Sequence, residues 1–461
     1  MVKGPSLKTI LEPAQEINVI READVVVVGG GPGGHSAAVA AARNGADTVL
    51  VERYGILGGQ ATGGVVTIIP NLSGRDGIQE IVGLSQEWID RMDKREATAY
   101  PPREIWGNTD KALCKEWFER SFFNVRIDRI VYSVLFDAEI LKCVLNDMVE
   151  EAGVKTYLHS WGTKTIMEGN EAKGIIFESK SGRQAILAKV VIDGTADGDL
   201  FPSAGIAYDT DIDPTIRIAN LSLCYWTGGV DLQKAIDFQK SNPERYGGMM
   251  RDLMSRGGHP GFMRSCLKDQ ESVVWKHPRY VSSSQIDVEE LTRVEFEGRK
   301  KMLMSFDYFK ENIPGFEKSF IVLSAPQLGT RSSRRAHTEV ILTEAHANAD
   351  TIWKDTIAIF PDVDRGEESM QHPSLHVPYR TLVPRGVDNF LVACRAFGSD
   401  QLIQNLFNLI PHCIAFGEAA GTAAALCVKE GKKVRDVNIE ELRDRLTKQG
   451  VPLPDERVAV A

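Results

Sequence analysis

The chain has 461 residues, a formal charge of −9 at neutral pH and an isoelectric point near 5.6. It is long enough for two or three domains at about 150 residues each, and too acidic for a nucleic-acid partner, which would call for a basic face. Seven cysteines without a C-x-x-C pair point to a reducing, cytoplasmic setting, and Met1 to Ala23 mixes charges with apolar residues, so no signal peptide is expected.

Asp24 opens a run of four valines, Val25 to Val28, that reads as a strand buried on both faces. Gly29, Gly31 and Gly34 follow at the G-x-G-x-x-G spacing, with Pro32 and Gly33 between them. The first glycine permits a tight turn, the second lets backbone approach a diphosphate, and the third lets a helix pack on the strand. Ala37, Ala38, Ala41 and Ala42 keep that helix narrow, and Gly45 suits its C′ position. A second strand, Val49 to Val51, ends at Glu52 and Arg53, where the acid is placed to accept hydrogen bonds from a ribose. These features in register predict a dinucleotide fold.

A second glycine-rich stretch runs from Gly55 to Gly64. Aromatic and charged residues from Glu87 to Arg129 suggest helix, with enough surface for a contact in a homo-oligomer. A helix is predicted at Asp137 to Ala152, stopped by Gly153. Val154 to Leu158 reads as a strand, Thr163 to Ala188 as hairpins turning at Gly169-Asn170 and Ser181-Gly182, and Lys189 to Thr195 as a further buried strand. From Gly205 to Met370 the alternation lapses, as in a separate substrate-binding region. It returns at Asn389 to Ala393, followed by a helix from Pro411. The apolar part of that helix, Ile414 to Val428, contains Glu418 and is shorter than the ~20 residues of a membrane span, so no membrane partner is expected.

Several groups could carry chemistry. Arg331, Arg334 and Arg335 form the densest basic cluster, suited to clamp a carboxylate, with a structural ion-pair network as the alternative. His372 and His376 stand four apart, but Pro373 and Pro378 make a helix unsuitable there, and no metal site is expected. His376, Tyr379 and Arg380 precede the strand leading back to the glycine motif, where one could accept a proton. The absence of cysteine from Met1 to Ala112 excludes a disulfide reductase, and no second G-x-G-x-x-G follows a central strand. Cys143 and Cys427 fit the core.

The glycine motif alone leaves NAD and FAD open. The distant return of strand and Gly-Ala-rich helix, Asn389 to Ala425, resembles FAD-dependent oxidoreductases of the glutathione-reductase-like fold. Val190 to Leu200, Leu328 to Arg335, Val377 to Pro384 and Gly417 to Ala425 are similar to successive motifs of a bacterial FAD-dependent oxidoreductase family. The resemblance implies an α/β architecture: a discontinuous FAD-binding Rossmann domain (residues 20–100, 136–205 and 376–435) with a helical insertion (101–135), an inserted α+β substrate or cap domain (206–375) and a C-terminal tail (436–461). It implies that Gly29, Gly31, Pro32, Gly33, Gly34, Glu52 and Arg53 hold the ADP half of FAD. Gly58, Gly59, Gln60, Thr62 and Gly194 would line the diphosphate and flavin, with Pro411, His412 and Cys413 presenting a helix start to the ring. His35 and His412 are candidates for a covalent flavin link. The family pattern differs at Cys394 (glycine), Gln401 and Leu402 (a His-Glu pair) and Asn408 (arginine), which implies a different substrate.

The activity expected is hydride transfer between a small polar or anionic substrate and flavin N5, of dehydrogenase or reductase type, with Arg334, His376, Tyr379 and Arg380 as catalytic candidates and an unknown electron acceptor or donor. The alternatives are an oxygen-using oxidase or monooxygenase, and a non-catalytic flavin-binding module.

Overall fold

Four consecutive valines offer no polar side chain to water, and β1 (Asn18–Val28) accordingly runs through the interior of a seven-stranded sheet. The structure is a computed structural model that describes residues 8–264, 272–349, 351–361 and 374–454. His372 and the first seven residues of the N-terminal segment lie outside the described residues. Val25, Val26 and Val27 are fully buried, each such side chain contributing about 1.5–3 kcal/mol relative to exposure. Helix α1 (Pro32–Arg43) follows, with Gly45 at φ +95° just beyond its cap, and β2 (Thr48–Val51) pairs parallel to β1.

The stretch Glu87 to Arg129 is less helical than its composition suggests. Helix α2 (Gly83–Asp93) and one helix at Lys111–Arg120 are joined by short turns and the two-residue strand Thr98–Ala99. Aromatic packing accounts for the difference: Trp106 stacks on Tyr132 at 4.1 Å and Tyr100 meets the same ring edge-on, so the rings cross between segments instead of lining one helix face.

Helix α3 (Ala138–Glu151) is capped by Asp137 and leads to β3 (Lys155–Tyr157), which pairs parallel to β2. β4 (Trp161–Glu168) and β5 (Glu171–Ser179) form a hairpin against β6 (Gly182–Asp193). The last hairpin arm and the buried strand expected separately are therefore one strand. Its first half pairs antiparallel with β5, and Gln184 to Asp193 pair parallel with β1.

A set of small antiparallel sheets follows. β7 (Asn220–Ser222) and β8 (Tyr225–Gly228) precede β9 (Met263–Arg264), β10 (Val274–Lys276) and β11 (Arg279–Val281). β7 pairs with β11, setting Ser222 opposite Arg279, while β8 lies between β10 and β12 (Phe320–Ser324). Helix α4 (Val288–Asn312) connects β11 to β12.

The chain then returns. β13 (Phe390–Val392) pairs parallel with the end of β6, and α5 (Ile410–Glu430) packs across α1. By length and composition α5 could cross a membrane, being longer than the apolar run alone suggests, but almost all of it is buried within the protein. Its contact with α1 needs small residues. A Cβ on Gly417 would fall 2.0 Å from the Gly33 carbonyl oxygen, and one on Gly421 2.1 Å from that of Ala37. Buried Glu418 accepts a hydrogen bond from Leu84 N at 2.9 Å, capping the start of α2, and burial raises its carboxyl to about 7.

Candidate active site

The first cavity lies where β1 hands over to α1. Gly29 adopts φ +93°, and a Cβ there would lie 2.6 Å from the Gly194 carbonyl oxygen at the end of β6. Helix α1 starts at Gly31 with no side-chain cap and no acid in its first turn, leaving its first N–H groups and positive end for an anion. Gly29, Gly31, Pro32, Glu52, Arg53, Gly59, Gln60 and Gly194 line this cleft together, with Trp161, Asp199, Gln327 and Arg395 completing the wall. Glu52 accepts from Gly30 N at 2.5 Å and Tyr54 N at 2.8 Å, which fixes its carboxylate at the cleft; burial raises its pKa. Each carboxylate oxygen keeps a further lone pair for a hydroxyl donor.

Other expected cofactor residues shape the cleft from behind. A Cβ on Gly33 would lie 1.7 Å from the Ala393 oxygen and one on Gly34 1.7 Å from the Gly29 oxygen, so both serve close packing. Gly58 adopts φ +98° against Thr62 and Leu145, and Thr62 Oγ1 donates to the Leu57 carbonyl. Pro411, His412 and Cys413 line neither this cleft nor the cavity beside it. His412 packs instead against Phe360 and Phe407, at 4.4 and 5.3 Å between ring centres, and burial lowers its pKa to about 3. Cys413 is buried and its thiol pushed up to about 11. His35 sits under Trp88 with Nε2 at 3.1 Å from the Leu145 oxygen. Neither histidine faces the cleft, so the structure gives no support to a covalent link through them.

A second cavity of about 430 Å³ adjoins the first, Gln60 and Arg395 lining both. Its wall carries Arg126, Arg217, Arg279, Arg331 and Arg395 and, among the described residues, no Asp or Glu. Arg331 Nη2 donates to His277 Nε2 at 2.9 Å and Ser222 Oγ at 3.2 Å. A guanidinium can only donate, so Nε2 accepts and the ring proton of neutral His277 resides on Nδ1. Burial, then Arg331, holds the His277 pKa well below its usual value. Burial and the surrounding guanidinium groups lower Arg331 to about 9. Arg395 donates to Asp197 Oδ1 and Thr330 Oγ1. Asn408, standing where the resemblance expects arginine, accepts from Arg217 Nη2 at 3.2 Å, so a guanidinium reaches this place from another element. Gln401 bonds Asp211 instead, and Cys394 is buried.

The catalytic candidates fall elsewhere. Of the three clustered arginines only Arg331 faces the cavity. Arg334 donates to Asp197 O at 2.8 Å and Asp199 Oδ1 at 3.3 Å, and Arg335 pairs with Asp211. Tyr379 is buried, its hydroxyl donating to Val434 O at 2.8 Å, Arg380 makes a two-point pair with Asp355, and His376 lies in the strand Ser374–Pro378. None of His376, Tyr379 and Arg380 lines either cavity: Tyr379 turns into the core, Arg380 is exposed and held by Asp355, and His376 is half-buried. Sequence reasoning missed Arg217, Arg279 and His277. One signal was available: Trp275, His277 and Arg279 alternate, and all three line the cavity as one face of an extended segment. Among the described residues no cluster of three or more His, Cys, Asp or Glu is placed to hold a metal ion.

The residues fit an FAD. Gln60 Oε1 and Gln327 Oε1 are buried at the cleft wall with no partner among the described residues, and the glycine cradle, uncapped helix start and Glu52 supply the partners a diphosphate and ribose require.

A family model described as "FAD dependent oxidoreductase" matches residues 24–446. Over 203 residues the chain is 27% identical to a digeranylgeranylglycerophospholipid reductase of Methanocella arvoryzae, covering 44% of this chain and 45% of that one. Over 97 residues it is 32% identical to a soluble pyridine nucleotide transhydrogenase of Mycobacterium tuberculosis, covering 21% and 20%. The chain thus spans less than half the length of these curated relatives. Among solved structures, a geranylgeranyl bacteriochlorophyll reductase-like protein of Thermoplasma acidophilum superposes with TM-score 0.45 at 14% identity, covering 93% of this chain and 83% of that one. The p-nitrophenol 4-monooxygenase of Pseudomonas putida gives 0.46 at 13% identity, covering 93% and 84%.

Proposed function

Because this chain belongs to the FAD-dependent oxidoreductase family, we propose that it is a dehydrogenase- or reductase-type flavoenzyme acting on a small anionic substrate. In this reading the FAD-binding domain is glutathione-reductase-like and discontinuous, assembled from residues 20–100, 136–205 and 376–435, with a substrate region inserted at 206–375. The observation that carries the reading is the adjacency of two unlike cavities. A glycine-walled cleft with a helix start and Glu52 meets an arginine-walled cavity across Gln60 and Arg395.

FAD, when bound, supplies a hydride acceptor at its N5 position. The chain's own residues bind and orient. The N–H groups at the start of α1 and the Glu52 carboxylate hold the ADP half. Arg331, kept in place by Ser222 and His277, takes the anionic group of the substrate. Val66, Ile68, Phe122, Phe123 and Ile410 make part of the wall apolar and limit water there.

Anaerobic titration of the yellow protein with a panel of hydroxy acids, amines and sugars tests this. Bleaching by an acid and slow reoxidation on admitting air are expected. Bleaching by amines or sugars alone contradicts the substrate class, and rapid reoxidation with peroxide release replaces the dehydrogenase reading with an oxidase.

A further inference from the structure

The arginine-walled cavity carries more charge than one anion can balance. Arg331 contacts only the neutral Ser222 and His277 through Nη2, and its buried Nε has no partner among the described residues. Arg279, exposed at the rim and opposite Ser222 in the β7–β11 ladder, makes no ion pair among the described residues. By contrast Arg395 already has a carboxylate, Asp197. Two cations without counterions among the described residues thus stand at different depths of one cavity of about 430 Å³, a volume within the roughly 300–1,000 Å³ typical of small-molecule sites. Like charges gathered away from water repel unless anions enter between them. Burial lowers the pKa of Arg331 most, and Arg217, Arg279 and Arg395 lower it further by repulsion. Phe122, Phe123, Ile68 and Trp275 form an apolar part of the wall and suit a carbon skeleton.

Resting on the proposed flavoenzyme reading, we infer that the substrate is a dicarboxylate with an apolar body, one carboxylate held deep by Arg331 and the other at the rim by Arg279. A monocarboxylate would leave one guanidinium without a counterion. A charge-assisted hydrogen bond to the second carboxylate corresponds to about a tenfold to hundredfold gain in affinity.

The test uses the full-length, FAD-loaded protein at constant ionic strength. Calorimetry and flavin difference absorbance follow its titration with two matched pairs, phthalate against benzoate and glutarate against valerate. In at least one pair the dicarboxylate should bind about tenfold tighter or better, and Arg279→Gln, a change at an exposed residue, should abolish that preference. Equal affinities within both pairs, or a preference that survives Arg279→Gln, would overturn the inference. A colourless protein that takes up no FAD is a different result, and it overturns the underlying flavoenzyme reading.

Discussion

The two adjoining cavities are built from different materials. The cleft at the end of β1 is organised around backbone, namely glycines, a helix start and the fixed Glu52 carboxylate, with side chains such as Arg53, Trp161 and Asp199 completing it. The cavity beside it is mostly side chain, with five arginines, a histidine and a set of apolar groups drawn from well-separated segments. A backbone-built site recognises a group that is always the same and fails when a Cβ intrudes. A site built from side chains sets selectivity, and changing one residue should alter what binds without disturbing the fold.

Substitutions in and around the two cavities test that contrast. Gly33→Ala should have the largest effect, since the new Cβ would fall 1.7 Å from the Ala393 oxygen and 3.1 Å from that of Cys413. Expression with little folded, FAD-retaining protein is expected; a yellow variant of normal thermal stability would show that the cleft can give way. Next comes Glu418→Gln, on the helix that backs the cleft. Its folded pKa of about 7 lies above the ordinary 4.5, so the stability linked to its protonated form is complete below pH 4.5 and is lost as pH rises through 7. Gln keeps an acceptor for Leu84 N but cannot ionise. Urea unfolding should therefore find the variant gaining on the wild type between pH 4.5 and 7, by up to about 3 kcal/mol; parallel pH profiles would contradict this.

Arg331→Gln should leave the protein yellow and lower kcat/KM about tenfold to a hundredfold, whereas loss of the flavin would make the residue part of the cofactor site. Glu52→Gln should act the other way, weakening FAD retention on dilution about tenfold and sparing turnover of the fraction that stays loaded. The smallest effect is expected for Arg334→Ala. This arginine bonds Asp197 and Asp199 and does not face the cavity, so kcat/KM should change by no more than about twofold; a drop comparable to Arg331→Gln would restore it as a clamp.

The same contrast explains what could be read in advance. Val25 to Val28, the glycines, the small-residue helix and Glu52 are contiguous, and each has a conformational or steric reason visible in its neighbours. Residues that meet through antiparallel pairing have no such local mark. Arg279 reaches Ser222 and the neighbourhood of Arg331 because β7 pairs with β11. Arg217 reaches Asn408 across an interval of 191 residues. Tyr379 differs from its expected place for a related reason: its position along the chain is near the returning strand, yet its hydroxyl faces Val434. Along Glu87 to Arg129, composition indicated helix, but the Trp106–Tyr132 stack depends on which segments cross and not on periodicity.

Whether the cleft at Gly29 to Glu52 holds the adenosine end of FAD is decided most directly by cofactor retention. Protein stripped of flavin is incubated with FAD or FMN and passed through a desalting column. A yellow protein is expected from FAD alone. Equal retention of FMN, or a colourless protein from both, would contradict it.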